Sequence, residues 1–510
     1  MKAERDKMMG QNTSLLYGNE VSYTSCQEDS LFFDLNIDQI VSAITEGLEE
    51  YRFADFYFER PVLCADAEYR MAVARDLWDE EIRETIVSFQ ISLNKVKRYL
   101  HTADSIRAAS VKGKWKLDAV LAYIEAIAAL LRLADREIAS EGLHRVLTWA
   151  QAYAGTEAFV NLREISLALQ KRMDSISYSL KVDIVNNVIY FGDDTSPEDV
   201  CAEFYRTFDR YGLGHINREL VVFADIHRNV VEEKILAILQ AEHPVLLAAL
   251  ADFASRCSGF IHEKIAALER ETWFFTSYIN FAKRLEGKGF PFSFPAFSRQ
   301  SLRIAGGYDV SLAMVKGNAA QIVKNDFEIR EGERSFLLIG PNQGGKTTFA
   351  RMFGQILYLS SLGLPVPCDE AVILWTNGLQ THFIREENPG GDTGRLKEEL
   401  LRLKRILSGT ADKSVVILNE LFSSTTTYDA LEMGKHVLKL FEKKGCICLY
   451  ITHLFELAND GRSVSLIAEV SADCAPAFRI ARSPVAGSAF ANRLLAKHHL
   501  RASDINTYLE

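Results

Sequence analysis

Cysteine is scarce and scattered in this 510-residue chain: eight residues, no Cys-x-x-Cys pair, and only Cys446 and Cys448 close together. Histidines number eleven, so composition argues against both a disulfide frame and a zinc site. Long apolar runs are missing as well. The most apolar stretch, 119–131, carries Glu125 and is followed by Arg132, and it reads as a core helix and not a membrane span. No apolar signal core follows Met1, so a cytoplasmic location is expected. Surplus positive charge is also absent. Against 68 Asp and Glu stand 58 Lys and Arg, a formal net charge of −10, so any nucleic-acid contact must come from a local basic patch. Internal repeats and low-complexity runs are not seen. The length is ample for two or three domains with proper cores.

Proline is rare between Leu31 and Arg284, where apolar residues recur with helical periodicity. The interruption is 178–191, where β-branched and aromatic residues flank Asn186-Asn187, a pattern for a hairpin turn. Helical periodicity resumes near Pro197, and Asp225 to Arg284 is expected to form two long antiparallel helices. Gly287-Lys-Gly-Phe-Pro-Phe-Ser-Phe-Pro295 then punctuates the chain as a domain boundary. From about 300 onward strands and helices alternate, which predicts a doubly wound α/β domain. The expected fold class is α + α/β: a mainly helical region, then a P-loop domain with a mostly parallel sheet. The first 29 residues, polar and aperiodic, are expected to form a loose tail.

Gly340-Pro341-Asn342-Gln343-Gly344-Gly345-Lys346-Thr347 fits the phosphate-cradling pattern G-x-x-x-x-G-K-[ST] at every fixed position. Ser335 to Ile339 precedes it as a short buried strand. Thr348 onward is apolar at helical spacing. A strand turning through glycines into a helix points backbone N–H groups and the positive helix end at one anion. Lys346 would reach the β/γ-phosphates of a nucleotide, and Thr347 would ligate Mg²⁺. The bland alternative is a glycine-rich turn.

Further elements follow in the order an ABC-type ATPase needs. The apolar run 414–418 ends in Asn419-Glu420, which places one group on the Mg²⁺ shell and the next where it can orient a water. Thr425 to Asp429 opens a helix and would cap it in any case. The strand from Cys446 to Ile451 ends in Thr452-His453, where the histidine can sense the γ-phosphate; a histidine there is otherwise plain polar surface.

The segments Asn342-Gln-Gly-Gly-Lys-Thr-Thr348, Asn419-Glu-Leu421, Ser424 to Asp429 and Thr452-His-Leu-Phe-Glu-Leu457 resemble the MutS ATPase domain, from about 305 to 500. The resemblance implies an ABC-type ATPase domain over 300–485 and a helical MutS-like core over 30–225, with the hairpin near 178–191. It further implies lever helices over 226–290 and dimerisation helices over 486–510. It implies ATP and Mg²⁺ as cofactors, with nucleotide contacts from Gly340 to Thr348 and from Asp429. Glu420 and His453 are the implied catalytic residues, and Thr347 and Asn419 the metal-shell residues, Asn419 through water. The implied assembly is a homodimer with two composite ATP sites, holding double-stranded or branched DNA between subunits.

This chain departs from the family pattern in places. Asn419 replaces the family aspartate, which brings no charge and predicts weaker Mg²⁺ affinity and slower turnover. Phe422-Ser-Ser424 stands where the family has Gly-Arg-Gly, and Gly394 where it has a signature serine, with Thr393 the nearest hydroxyl. Phe-x-Glu, the wedge with which MutS proper reads mismatches, occurs nowhere. The clamp insertion looks short, and no nuclease tail is expected. DNA contact is then sought in Lys95, Lys97, Arg98, Arg107, Lys112, Lys114 and Lys116, with Tyr99 and Trp115 among them; a solvated helix face explains the cluster equally well. Two readings stand: an ATP-dependent DNA-binding dimer, or a nucleotide-switched protein scaffold without DNA binding. A transporter ATPase is disfavoured, because no LSGGQ signature is present.

Overall fold

Val415–Asn419 and Ile447–Thr452 are buried at every position, as strands covered on both faces must be. They lie at the centre of a computed structural model that describes residues 12–18, 23–25, 30–176, 179–183, 188–192, 240–257, 259–384, 394–471 and 475–483. The described helices are α1 Leu31–Asp34, α2 Ile37–Thr45, α3 Cys64–Trp78, α4 Glu80–Ser105, α5 Ala109–Leu131, α6 Glu141–Ala154 and α7 Glu157–Asp174. Next come α8 Pro244–Arg256, α9 Glu263–Glu286, α10 Val310–Lys316, α11 Lys346–Ser361, α12 Arg395–Gly409 and α13 Thr427–Lys443. The strands are β1 Tyr23–Ser25, β2 Glu59–Pro61, β3 Ser179–Asp183, β4 Val188–Gly192, β5 Ala296–Ser298, β6 Leu302–Gly307 and β7 Asn325–Ile329. They continue as β8 Ser335–Ile339, β9 Glu370–Leu374, β10 Leu379–His382, β11 Val415–Asn419, β12 Ile447–Thr452, β13 Val464–Val470 and β14 Pro476–Arg482.

Two compact units result, each discontinuous in sequence: residues 1–87, 133–149 and 264–510 form one, 88–132 and 150–263 the other. In the second unit α5 and α8 share an apolar core of Leu117, Val120, Leu246, Leu250 and Phe253, joined by Leu169 of α7. Tyr123 and Tyr153 hydroxyls lie 3.0 Å apart, and Tyr123 also accepts from His262 N at 3.1 Å. Strands β3 and β4 pair antiparallel, with Leu180 opposite Phe191; the Asn186-Asn187 turn falls outside the described residues.

The first unit holds a six-stranded sheet in the order β10-β11-β12-β8-β13-β14, parallel except for β14. Beside it in sequence is a four-stranded sheet, β5-β9-β6-β7, in which β6 runs antiparallel to its neighbours. Helix α11 is buried along most of its length. Phe327 packs edge-on against Phe336, Phe349 and Phe353. Leu403 and Ile406 of α12 and Val437 and Phe441 of α13 cover β11 and β12 through Val416, Leu418, Cys448 and Tyr450.

Two features differ from the linear reading. Residues 12–18, placed by the sequence in a loose tail, are held down: Leu15 and Leu16 are fully buried, and Leu15 N donates to the Glu271 carboxylate at 2.6 Å. Local polarity hid two leucines that find their burial far along the chain. Likewise α9 belongs to the same unit as the strands that follow it, across the glycine–proline boundary. Its Phe274, Phe275 and Tyr278 are fully buried, with Tyr278 donating to Pro365 O at 2.6 Å.

Candidate active site

Because β8, β11 and β12 are parallel neighbours, their carboxyl ends meet at one edge of the sheet, with Thr452 opposite Ile339 and Asn419 opposite Ile451. The glycine loop after β8, the pair Asn419-Glu420 and the pair Thr452-His453 are thereby brought together, though they lie up to 113 residues apart, from Gly340 to His453.

The loop turns into α11 at Gly345, whose φ of 85° suits glycine; Gln343 also takes a left-handed φ, 62°. A Cβ at Gly340 would stand 2.6 Å from the Ala468 side chain, so β13 closes on the loop only because that residue is glycine. No side chain caps the first turn of α11, which leaves its opening N–H groups for an anion.

Lys346 is the first residue of that helix and is only 4% exposed. Its Nζ donates to Gly340 O at 2.9 Å and Pro341 O at 3.0 Å, and lies 3.8 Å from Glu420 Oε1. Burial pulls the ammonium below the usual lysine range, while Glu420 works against that shift. A buried cation held by two neutral carbonyls and one distant carboxylate is incompletely compensated, and an anion on the loop would supply what is missing.

Glu420 Oε1 is 2.9 Å from His453 Nε2. That hydrogen bond, then the charges of His453 and Lys346, hold the carboxyl below the usual glutamate range against the effect of burial. It is therefore an ionised acceptor, suited to orient a water and weak at removing its proton. Asn419 is buried; its Nδ2 lies 3.5 Å from Thr347 Oγ1, and its Oδ1 is buried without a hydrogen-bond partner among the described residues. An oxygen set made of Thr347, an orphaned amide carbonyl and a carboxylate fits a hard, water-retaining cation such as Mg²⁺. No group of three or more His, Cys, Asp or Glu suited to a metal occurs among the described residues.

Asp429 is engaged in its own helix cap, where Thr426 Oγ1 accepts from Asp429 N at 3.2 Å and donates to Asp429 Oδ2 at 2.8 Å. Thr348 sits half-buried in the first turn of α11, whereas Asn342 and Gln343 are exposed on the loop. Gly394 is the N-cap of α12; Thr393 lies outside the described residues. In the basic cluster Lys112 pairs with Asp104 at 3.5 Å, Lys114 pairs with Asp118, and Lys116 donates to Ala254 O at 2.7 Å. Tyr99 and Trp115 rings pack 5.7 Å apart.

Phe478 escaped the sequence reading. It is 48% exposed, takes a left-handed φ of 56°, and its ring borders Gly345. Buried Asn325 fixes this bulge of β14, donating to Phe478 O at 3.0 Å and accepting from Ile480 N at 2.7 Å. Nothing in the alternation of 476–482 marks a bulge, so register alone reveals it.

A glycine loop between a central parallel strand and a buried helix, with Glu420 and His453 on the adjoining strand ends, defines the class of site. Residues 336–482 match the family model described as MutS domain V. Through this segment the chain is similar to the MutS family. The DNA mismatch repair protein MutS of Erythrobacter litoralis is 33% identical over 156 residues, 30% of this chain and 18% of that protein. MutS of Thermotoga sp. strain RQ2 is 29% identical over 163 residues, 32% of this chain and 20% of its own length. The DNA mismatch repair protein MSH2 of Saccharomyces cerevisiae is 31% identical over 137 residues, 26% and 14% of the two chains. The matched region thus spans about a fifth or less of these relatives. No helix among the described residues is long and apolar enough to cross a membrane.

Proposed function

We propose that the chain is a MutS-like ATPase that binds ATP–Mg²⁺ at Gly340–Thr348 and works as a homodimer. The nucleotide state switches its grip on double-stranded DNA of mismatched, branched or otherwise non-standard form. The observation that carries this reading is the meeting of Lys346, Thr347, Asn419, Glu420 and His453 at one sheet edge, inside the segment that matches MutS domain V.

The free amides at the start of α11 receive the β/γ-phosphates, and the Lys346 ammonium exchanges its two carbonyl contacts for phosphate oxygens. Thr347 and Asn419 would hold the metal, which would neutralise phosphate charge. Glu420, kept ionised, orients the attacking water, and His453 holds Glu420 from the side. The exposed Phe478 ring beside the loop offers a stacking face for the base. Tyr428, 74% exposed at the start of α13, and Leu400 and Leu401, 42% and 48% exposed on α12, suit a subunit interface near the site. One observation favours the scaffold reading instead: Lys112, Lys114 and Lys116 are all engaged within their own unit.

Calorimetry and steady-state hydrolysis test the nucleotide assignment. Lys346→Ala is expected to lose ATP binding. Glu420→Gln should keep binding and turn over more slowly by roughly two to four orders of magnitude. Phe478→Ala should weaken ATP roughly tenfold and leave inorganic triphosphate unaffected. Parental binding and hydrolysis in Lys346→Ala would overturn the assignment.

A further inference from the structure

The chain leaves β11 through an unusual turn. Glu420 N still donates to Ile451 O at 2.9 Å, continuing the sheet, yet Glu420 has φ 54° and Phe422 has φ 64°. Neither is glycine, and both therefore sit where an L side chain crowds its own backbone. Strained residues persist only where their surroundings over-determine them. The Phe422 ring is 1% exposed in the core cluster beneath α12 and α13. Its N–H is taken by a single carboxylate oxygen, Glu399 Oε2, at 3.0 Å in a buried setting.

Glu399 stands on a fixed post. One turn further along α12, Arg402 pairs with the buried Asp34 of α1 and donates to Phe383 O at 2.8 Å and Ser30 Oγ at 2.9 Å. Thr381 of β10 donates to the same Asp34 carboxylate at 2.8 Å. The helix is thus pinned to the sheet and to α1, and the Glu399 carboxylate cannot follow the turn if the turn relaxes.

We infer that Glu399 is a positioning residue for hydrolysis: by holding the Phe422 N–H it keeps the left-handed turn closed and so places the Glu420 carboxylate between Lys346 and His453. This rests on the ATPase reading above. Glu399 acts on the Glu420 turn through the Phe422 N–H and lies on α12, away from the glycine loop, so its loss should alter the chemical step and spare binding. A displacement of about 1 Å at a group that orients a nucleophile lowers the rate on the order of a hundredfold. Because α12 starts at Gly394, any movement imposed on that start also reaches Glu420 through Glu399.

The test compares Glu399→Ala, which removes the acceptor, with Glu399→Gln, whose amide oxygen can still accept from Phe422 N. ATP–Mg²⁺ affinity, kcat, and hydrogen exchange at the 419–423 amides without nucleotide are measured in each. In Glu399→Ala the expected results are affinity within about threefold of the parent, kcat lower by roughly ten- to a hundredfold, and faster exchange at Phe422. Glu399→Gln should restore both kcat and slow exchange. Unchanged exchange in Glu399→Ala, equal losses of affinity and kcat, or no rescue by Glu399→Gln would each overturn the inference. A parent that neither binds nor hydrolyses ATP, with exchange responding as stated, would instead sink the ATPase reading and leave Glu399 as the clamp of the turn.

Discussion

Asn419 is the residue at which this site departs most in charge from what a metal-dependent ATPase would use. Its amide oxygen is buried without a hydrogen-bond partner among the described residues, and its Nδ2 lies 3.5 Å from Thr347 Oγ1, 72 residues away along the chain. Replacing it by aspartate adds a full negative charge to the same position at nearly constant volume. Asn419→Asp is therefore expected to lower the Mg²⁺ concentration needed for half-maximal hydrolysis by roughly tenfold, the equivalent of about 1.4 kcal/mol. A second carboxylate next to Glu420 also raises the pKa of that residue, which moves the acid limb of the pH–rate profile upward. Identical Mg²⁺ titrations of the two proteins would contradict the placement of the metal at this residue. Side chains that follow strand ends were readable in the sequence, because parallel strands deliver their carboxyl ends to a common edge. Glu399 and Phe478 were not readable. Their positions depend on left-handed backbone at Phe422 and Phe478 itself, and no periodicity encodes that.

Segments whose burial is completed by distant residues show where local pattern runs out. Residues 12–18 look polar and aperiodic, yet Leu16 O accepts from the buried Arg70 Nε at 3.0 Å and Ser14 O from Tyr69 OH at 2.7 Å. The anchor on the other side is Glu271 of α9, which accepts from Ser14 Oγ at 2.8 Å and from Leu15 N. Burial pushes the Glu271 carboxyl up from 4.5 to about 7, against those two hydrogen bonds and the charges of Arg70 and Arg270. A carboxyl raised on folding contributes fully to stability below its unfolded pKa, and that contribution is lost as pH rises through the folded value. The window is thus pH 4.5 to about 7, and the swing is on the order of 3 kcal/mol. Melts of the parent and Glu271→Gln at pH 5, 6, 7 and 8 should show the glutamine variant gaining relative to the parent as pH rises. A difference in Tm independent of pH would show that Glu271 stays ionised throughout. By contrast β11, β12 and α11 were legible at once, since strands buried on both faces and a helix at apolar spacing announce themselves without distant partners.

At the scale of the whole molecule, an acidic chain must find its DNA contacts locally or not have them. The densest basic stretch lies in the unit built from α4, α5, α7 and α8, and there the geometry is unfavourable to a free basic face. Lys112 and Lys114 already face Asp104 and Asp118, and Lys116 is bound to a backbone carbonyl at the end of α8. Exposed or half-exposed pairs of this kind are worth little, about 1 kcal/mol or less, so a DNA phosphate can displace them. It gains less by doing so than it would from unpaired lysines. Neutralising Lys112, Lys114 and Lys116 together to glutamine is therefore expected to weaken binding similarly for all sequences. The slope of log K against log salt should flatten by at most about one unit per lysine lost. Mobility shifts with matched duplex, mismatched duplex and four-way junction, with and without ATP, supply the comparison. Backbone recognition predicts little preference for the mismatch and more for branched DNA that a dimer can enclose. An unchanged slope in the triple variant would move the DNA face to another part of the molecule. Absence of binding to every form at low salt, with ATP present and hydrolysed, would leave the nucleotide site intact and make the protein a nucleotide-switched scaffold.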